Sequence, residues 1–139
     1  VGCAKGFMLF DILRLIPDIY VRGLDISAYA IEQAMPEMKP YLTEGNATDL
    51  PYEDDAFDLV ISINTLHNLE GAALAQAFSE VTRVSRQHTF ITVDAFRNPE
   101  EQEAMLAWNL TAKTIKSIDD WKAYFAEVGY AGDFYWFMP

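Results

Sequence analysis

The stretch Val1-Gly2-Cys3-Ala4-Lys5-Gly6 opens the chain and decides how the rest is interpreted. Two glycines at this spacing, followed by an apolar run, are typical of a tight turn between a buried strand and a helix. Such a turn brings the backbone close to a ligand, and the first turn of the following helix directs free N–H groups toward it. The stretch predicts a phosphate- or nucleoside-binding corner, although the spacing alone has little specificity.

The composition limits the class of protein. The 139 residues are 51% hydrophobic and 14% aromatic, which indicates one folded domain over residues 1–139. The net charge of −11 argues against nucleic acid or an anionic membrane as a partner. Cys3 is the single cysteine, so an internal disulfide and a cysteine-based zinc cluster are excluded, and no metal is expected. Together with the lack of a signal peptide or a long apolar run, this predicts a cytoplasmic protein.

Apolar periodicity predicts helices and strands in alternation. The helical patterns cover 7–16, 27–34, 74–84, 98–108 and 117–128, and the strands cover 19–26, 41–44, 57–63, 89–93 and 134–137. Such alternation predicts an α/β fold, a Rossmann-like three-layer sandwich with a mostly parallel sheet. Because only Val1 precedes the first glycine, we expect the first strand, and part of a last hairpin, to lie outside this sequence.

Polar residues follow two of the predicted strands. Asp25 closes a strand 19 residues after Gly6, where an acid of a βαβ nucleotide fold accepts hydrogen bonds from both ribose hydroxyls. The alternative is a helix cap, for which Ser27 is better placed. Asn46 and Ala47 follow the next strand, where an amide side chain and a backbone N–H can contact the edge of a base.

The ordered set of motifs resembles the class I S-adenosylmethionine-dependent methyltransferases over almost the whole chain. The motifs are the opening turn, Leu24-Asp25-Ile26-Ser27, Gly45 to Tyr52 with Phe57 to Val60, Glu80 to Val84, and Asp119 to Tyr130. The chain departs from the family pattern where Ala4 replaces the usual middle glycine, where Asn46 replaces a frequent acid, and where Ser85 to His88 replace a Pro-Gly-Gly turn.

The resemblance implies S-adenosylmethionine as cofactor and a role for each matching residue. The implied contacts are Gly2, Cys3, Ala4 and Gly6 with the methionine part, Asp25 with the ribose, Ile26 with the adenine, Asn46 and Ala47 with the adenine edge, and Asn64 and Leu66 near the methyl group. It also implies methyl transfer to an unidentified acceptor. The acidity of the chain favours a small molecule as that acceptor.

Methyl transfer by in-line displacement depends mainly on positioning, and a general base is needed only if the acceptor must lose a proton. His67 and Asp94 each follow a predicted strand and are the candidate bases, although a packing role is equally open to both. Two other functions stay possible: a non-catalytic methyltransferase-like binding module, and a nicotinamide oxidoreductase. Phe7 argues against a nicotinamide oxidoreductase, because the glycine fingerprint of that class requires a small residue at this position.

Overall fold

The computed structural model describes residues 1–138 and shows the expected alternation of helices and strands. The helices are α1 (Phe7–Leu15), α2 (Ala28–Glu32), α3 (Gly71–Arg83), α4 (Pro99–Trp108) and α5 (Ile118–Glu127). The strands are β1 (Gly23–Asp25), β2 (Leu42–Glu44), β3 (Phe57–Ile63), β4 (Ser85–Phe96), β5 (Lys116–Ser117) and β6 (Asp133–Phe137), and 3-10 turns cover Lys39–Tyr41 and Leu66–Asn68. Within the described part, no helix is both long enough and apolar enough to cross a membrane.

Every strand pair among the described residues is parallel. β1 pairs with β2, which places Leu24 opposite Thr43. β4 pairs with β3, with β6 and, at its carboxyl end, with β5. The prediction of an α/β fold with a mostly parallel sheet is therefore confirmed.

The core lies between β4 and the helices α3 and α5. Ile91 and Val93 of β4 are fully buried, and Phe78 of α3 and Trp121 of α5 pack in the same cluster. Burying one such large apolar side chain stabilises a fold by about 2–3 kcal/mol. This packing fixes the position of the carboxyl end of β3, which several candidate site residues follow, and the position of β4, which contains Asp94.

An apolar groove of about 220 Å³ separates β1 from β3. At one end of this inter-strand groove, the amides of Gly2 and Cys3 donate to Leu24 O at 2.8 and 3.0 Å, and the Val1 amine donates to Ile61 O at 2.8 Å. The first residues therefore lie between the sheet of β1 and β2 and the sheet of β3, β4, β5 and β6. The expectation of a first strand outside the sequence stays a prediction.

Two predicted strands differ from those observed. The strand predicted over 19–26 forms only at Gly23–Asp25, because residues 19–22 border the inter-strand groove, where the described chain offers them no partner. The strand predicted over 89–93 is longer at both ends, because β3, β6 and β5 pair along it, so Asp94 lies inside the strand and not beyond it. The prediction that Ser27 caps α2 is confirmed, since its hydroxyl accepts a hydrogen bond from the Ala30 amide.

Candidate cofactor site

A cavity of about 320 Å³ lies at the carboxyl ends of β1, β2 and β3. We call it the strand-end cavity. Its lining is Val1, Gly2, Leu24, Asp25, Ile26, Gly45, Asn46, Ala47, Ile63, Asn64, Thr65, Asn68 and Leu69. The carboxyl ends of parallel strands are where α/β folds bind ligands. The predicted site residues in this lining are Gly2, Asp25, Ile26, Asn46, Ala47 and Asn64.

Asp25 connects the opening turn to the start of α2. Its Oδ2 accepts a hydrogen bond from the Ala4 amide at 2.7 Å, and its Oδ1 accepts a hydrogen bond from the Ser27 amide at 2.9 Å. A carboxylate offers about four acceptor positions, so about two stay available to a ligand. Both interpretations of Asp25 are thus compatible: it holds local backbone, and it still borders the cavity with free acceptor capacity.

The opening turn has left-handed backbone at Gly2, Ala4 and Gly6, with φ of 73°, 47° and 79°. A Cβ atom on Gly2 would lie 2.0 Å from Thr65 Oγ1, so no larger residue fits there without displacement. Ala4 adopts the same strained region although it carries a side chain. The turn thus keeps the geometry of a glycine-rich turn at the position where alanine replaces glycine.

Four of the predicted cofactor residues are not among the residues that line the strand-end cavity in the described chain. Cys3 borders the inter-strand groove instead, and burial raises the pKa of its thiol to about 11. Ala4 is exposed, and Gly6 is buried beside the Leu42 side chain. Leu66 is only 1% exposed and packs in the main core. Contact of these four residues with a cofactor stays a prediction.

The end of the cavity near β1 and β2 combines apolar and polar groups. Ile26 is 69% exposed and offers an apolar surface, whereas Ala47 is buried. Asn46 Oδ1 accepts the Thr48 amide at 3.0 Å and so closes a local turn. The Asn46 amide nitrogen remains the group of that side chain that can donate to a base.

The end of the cavity near β3 holds an unusual residue. Asn64 has left-handed backbone with φ of 48°, and three hydrogen bonds join it to Thr92 of β4. Thr65, Asn68 and Leu69 complete this end. Sequence reasoning identified the polar run that follows β3 but singled out only Asn64 and Leu66 in it as cofactor contacts. It missed Thr92, which lies inside an apolar strand and carries no sequence signal of its own.

His67 and Asp94 are 3% and 2% exposed and lie against each other. The Asp94 amide donates to His67 Nδ1 at 3.1 Å, which assigns the ring proton to Nε2, 3.7 Å from the Asp94 carboxylate. Burial lowers the pKa of His67 from 6.5 to about 4 and raises the pKa of Asp94. The Trp121 indole donates to Asp94 O, and the amides of Lys113 and Thr114 donate to His67 O.

This pair therefore connects the ends of β3 and β4 to residues 113–121. Neither side chain is among those that line the strand-end cavity in the described chain. The geometry favours a packing and anchoring role for both residues. A catalytic base at His67 or Asp94 stays a prediction.

A network of charges that the sequence analysis did not identify holds the loop after Ala47. The Glu80 carboxylate accepts a hydrogen bond from the Leu50 amide at 2.7 Å and forms an ion pair with Arg83, also at 2.7 Å. Arg83 in turn donates to the carbonyls of Leu50 and Tyr52. The Arg83 guanidinium lowers the pKa of Glu80. The network fixes the segment that leads from the cavity into β3.

Comparison with known proteins agrees with this geometry. A family model described as a methyltransferase domain matches residues 1–93. A demethylmenaquinone methyltransferase from Symbiobacterium thermophilum is 31% identical over 130 residues, which cover 87% of this chain and 51% of that protein. A malonyl-acyl-carrier-protein O-methyltransferase from Legionella pneumophila is 26% identical over 113 residues, which cover 78% of this chain and 39% of that protein.

A solved structure supports the fold. The protein in complex with a Haloferax volcanii methyltransferase activator matches with a TM-score of 0.69 at 22% identity, over 92% of this chain and 57% of that one. The chain spans between 26% and 56% of the length of the curated relatives it matches. From the match over residues 1–93, this chain belongs to the methyltransferase domain family, and it shares the Rossmann-like α/β fold of that solved structure.

Proposed function

We propose that the chain binds S-adenosylmethionine in the strand-end cavity and transfers its methyl group to an acceptor that is a small molecule. The observation that carries the proposal is the position of Asp25, which borders the cavity at the end of β1 with acceptor capacity to spare. A ribose offers two neighbouring hydroxyl donors, which match a carboxylate that has about two acceptor positions left.

The lining of the cavity fits the parts of this cofactor from one end to the other. Near β1 and β2, the exposed Ile26 side chain supplies an apolar surface for a base, and Asn46 supplies an amide donor at its edge. Near β3, the opening turn at Gly2 lies against Thr65 and borders the same space as Asn64. We assign the nucleoside to the first end and the aminoacyl part to the second.

When bound, S-adenosylmethionine supplies a methyl group that its sulfonium charge already activates. The chain's own residues then contribute position and desolvation, which suffice for an in-line displacement. Ile63 and Leu69 give the β3 end of the cavity apolar walls. For His67 to act as a base, Nδ1 would have to release its hydrogen bond from the Asp94 amide, because Nδ1 carries the basic lone pair of the neutral ring.

The proposed acceptor class rests on charge and on relatives. The net charge of −11 disfavours a polyanionic acceptor. Relatives named for demethylmenaquinone and for a malonyl-acyl-carrier protein are consistent with an acceptor other than nucleic acid, although another relative is named as a tRNA methyltransferase. A single domain and a cytoplasmic location stay part of this proposal.

Isothermal titration calorimetry with S-adenosylhomocysteine tests the proposal. We expect binding by the wild-type chain and a loss of at least about tenfold in Asp25→Ala, equivalent to about 1.4 kcal/mol. Asp119→Ala, an exposed acid on α5, is the matched control and should bind like the wild type. Binding of NAD in place of S-adenosylhomocysteine would overturn the proposal. If the cofactor binds but no acceptor in a broad panel yields S-adenosylhomocysteine, the non-catalytic binding module replaces the enzyme.

A further inference from the structure

The backbone of Asn64 is held in a strained conformation at the edge of the strand-end cavity. Its φ of 48° lies in the left-handed region, which is unfavourable for residues with a side chain, although Asn adopts it more readily than most. Such strain persists only where surrounding contacts impose it. Asn64 directly follows β3 and lines the cavity, so the strain lies at the candidate site.

Thr92 supplies the contacts that impose this conformation. The Asn64 amide N–H is shared between Thr92 O at 3.2 Å and Thr92 Oγ1 at 2.9 Å. The Thr92 hydroxyl in turn donates to Asn64 Oδ1 at 2.6 Å. One hydroxyl thus fixes both the backbone and the side-chain amide of Asn64, while Thr92 is itself only 8% exposed.

This arrangement determines which polar group Asn64 can offer to a ligand. Its Oδ1 is occupied by the Thr92 hydroxyl, and among residues 1–138 its Nδ2 has no recorded hydrogen-bond partner. The amide nitrogen is a donor only, so it matches a carboxylate or carbonyl oxygen and cannot accept from an ammonium group. Asp25, at the opposite end, offers the reverse chemistry, a carboxylate acceptor suited to hydroxyl donors.

We propose that Thr92 is a positioning residue that orients the Asn64 amide so that Nδ2 donates to the carboxylate of the ligand's aminoacyl end. The proposal rests on the proposed function, since it takes S-adenosylmethionine as that ligand. Thr92 acts through Asn64, because Thr92 is not among the described residues that line the cavity. It adds a residue from β4 to a site otherwise built by segments that follow β1, β2 and β3.

The test compares two ligands that differ only in the aminoacyl group: S-adenosylhomocysteine and 5′-methylthioadenosine, which keeps the adenosine and the thioether. Thr92→Val removes the hydroxyl at nearly constant shape, and Thr92→Ser keeps it. Loss of one oriented hydrogen bond to a carboxylate corresponds to about tenfold in affinity. We therefore expect Thr92→Val to lower the affinity for S-adenosylhomocysteine about tenfold and the affinity for 5′-methylthioadenosine less than about twofold. Thr92→Ser should bind both ligands like the wild type.

A side-chain ¹⁵N spectrum supplies a readout that a merely structural role would not move. The Asn64 NH₂ signal should shift when S-adenosylhomocysteine is added to the wild type and should not shift in the same way in Thr92→Val. If Thr92→Val does not fold, Asn64→Asp keeps the acceptor for Thr92 and removes the donor. Asn64→Asp should lower the affinity for S-adenosylhomocysteine more than the affinity for 5′-methylthioadenosine.

If Thr92→Val lowers the affinity for both ligands equally, or for neither ligand, the role of Thr92 is overturned while the proposed function stays intact. Failure of the wild-type chain to bind either ligand would instead overturn the proposed function, and the inference with it.

Discussion

The neutral state of His67 makes the stability of the fold depend on pH. The ring is buried, and its Nδ1 accepts a hydrogen bond from the Asp94 amide, so a proton can be added only by breaking that hydrogen bond away from solvent. Burial accordingly lowers the pKa of His67 from 6.5 to about 4. His67→Asn removes the titration and retains a side-chain oxygen that can accept the Asp94 amide.

The sign and size of the effect follow from this pKa. Between pH 6.5 and about 4, the unfolded chain binds a proton at His67 that the folded chain does not bind. The free energy of unfolding therefore falls as the pH drops through this window and is unaffected by His67 above it. Each pH unit contributes about 1.4 kcal/mol, which gives roughly 3 kcal/mol across the whole window and about 2 kcal/mol between pH 6.5 and 5.

Urea unfolding of the wild type and of His67→Asn from pH 8 to pH 5 measures this directly. The stability advantage of the wild type should be constant down to pH 6.5 and should then shrink by about 2 kcal/mol by pH 5. The Asp94 carboxylate is present in both proteins, so its own titration largely cancels in the difference. Gln87→Asn, at an exposed position of β4, is the control and should leave the pH profile unchanged.

Two results would refute the reasoning. A stability advantage of the wild type over His67→Asn that is constant from pH 8 to pH 5 would mean that His67 titrates normally in the folded chain. An advantage that grows as the pH falls would mean that a protonated His67 pairs with an ionised Asp94. The second result would restore the charged pair as a candidate for acid–base chemistry.

Two further predictions concern the loops around the cavity. Glu80→Ala removes the acceptor of the Leu50 amide and one of the acceptors of Arg83, so urea unfolding should show a loss of about 2–3 kcal/mol. The exposed Glu103→Ala should change the free energy of unfolding by less than about 0.5 kcal/mol. A loss no larger than that of the control would mean that the network contributes nothing. Ala4→Gly should raise the free energy of unfolding by about 0.5 kcal/mol, because glycine removes left-handed strain at a small entropic cost. The same change at the exposed helical Ala104 should lower it by about 1 kcal/mol, and a loss at both positions would argue against strain at Ala4.

The sequence predicted well what depends on local pattern. β3 was predicted over the residues it occupies, Phe57–Ile63, and the Ser27 cap of α2 is present. The extent of β4 was underestimated, because polar residues at Ser85 to His88 and at Asp94 interrupt its apolar pattern, although neighbouring strands pair there. Strand pairing is a non-local property that periodicity within one segment does not report.

The same limit applies to the site. Asp25 and Asn46 could be found because motifs and strand ends mark them, and both line the cavity. Thr92 could not be found, because its role depends on the register that places β4 beside the end of β3, 28 residues away in sequence. Ala4 is not among the described residues that line the cavity, and its amide donates to Asp25, a contact that turn spacing alone does not reveal.

The central claim is that the strand-end cavity binds S-adenosylmethionine through Asp25. Calorimetric titration of S-adenosylhomocysteine into the wild-type chain and Asp25→Ala, with both shown to be folded, tests it most directly. We predict saturable binding by the wild type and affinity at least about tenfold lower in the variant. Equal affinity in the two proteins, or no binding by the folded wild type, would contradict it.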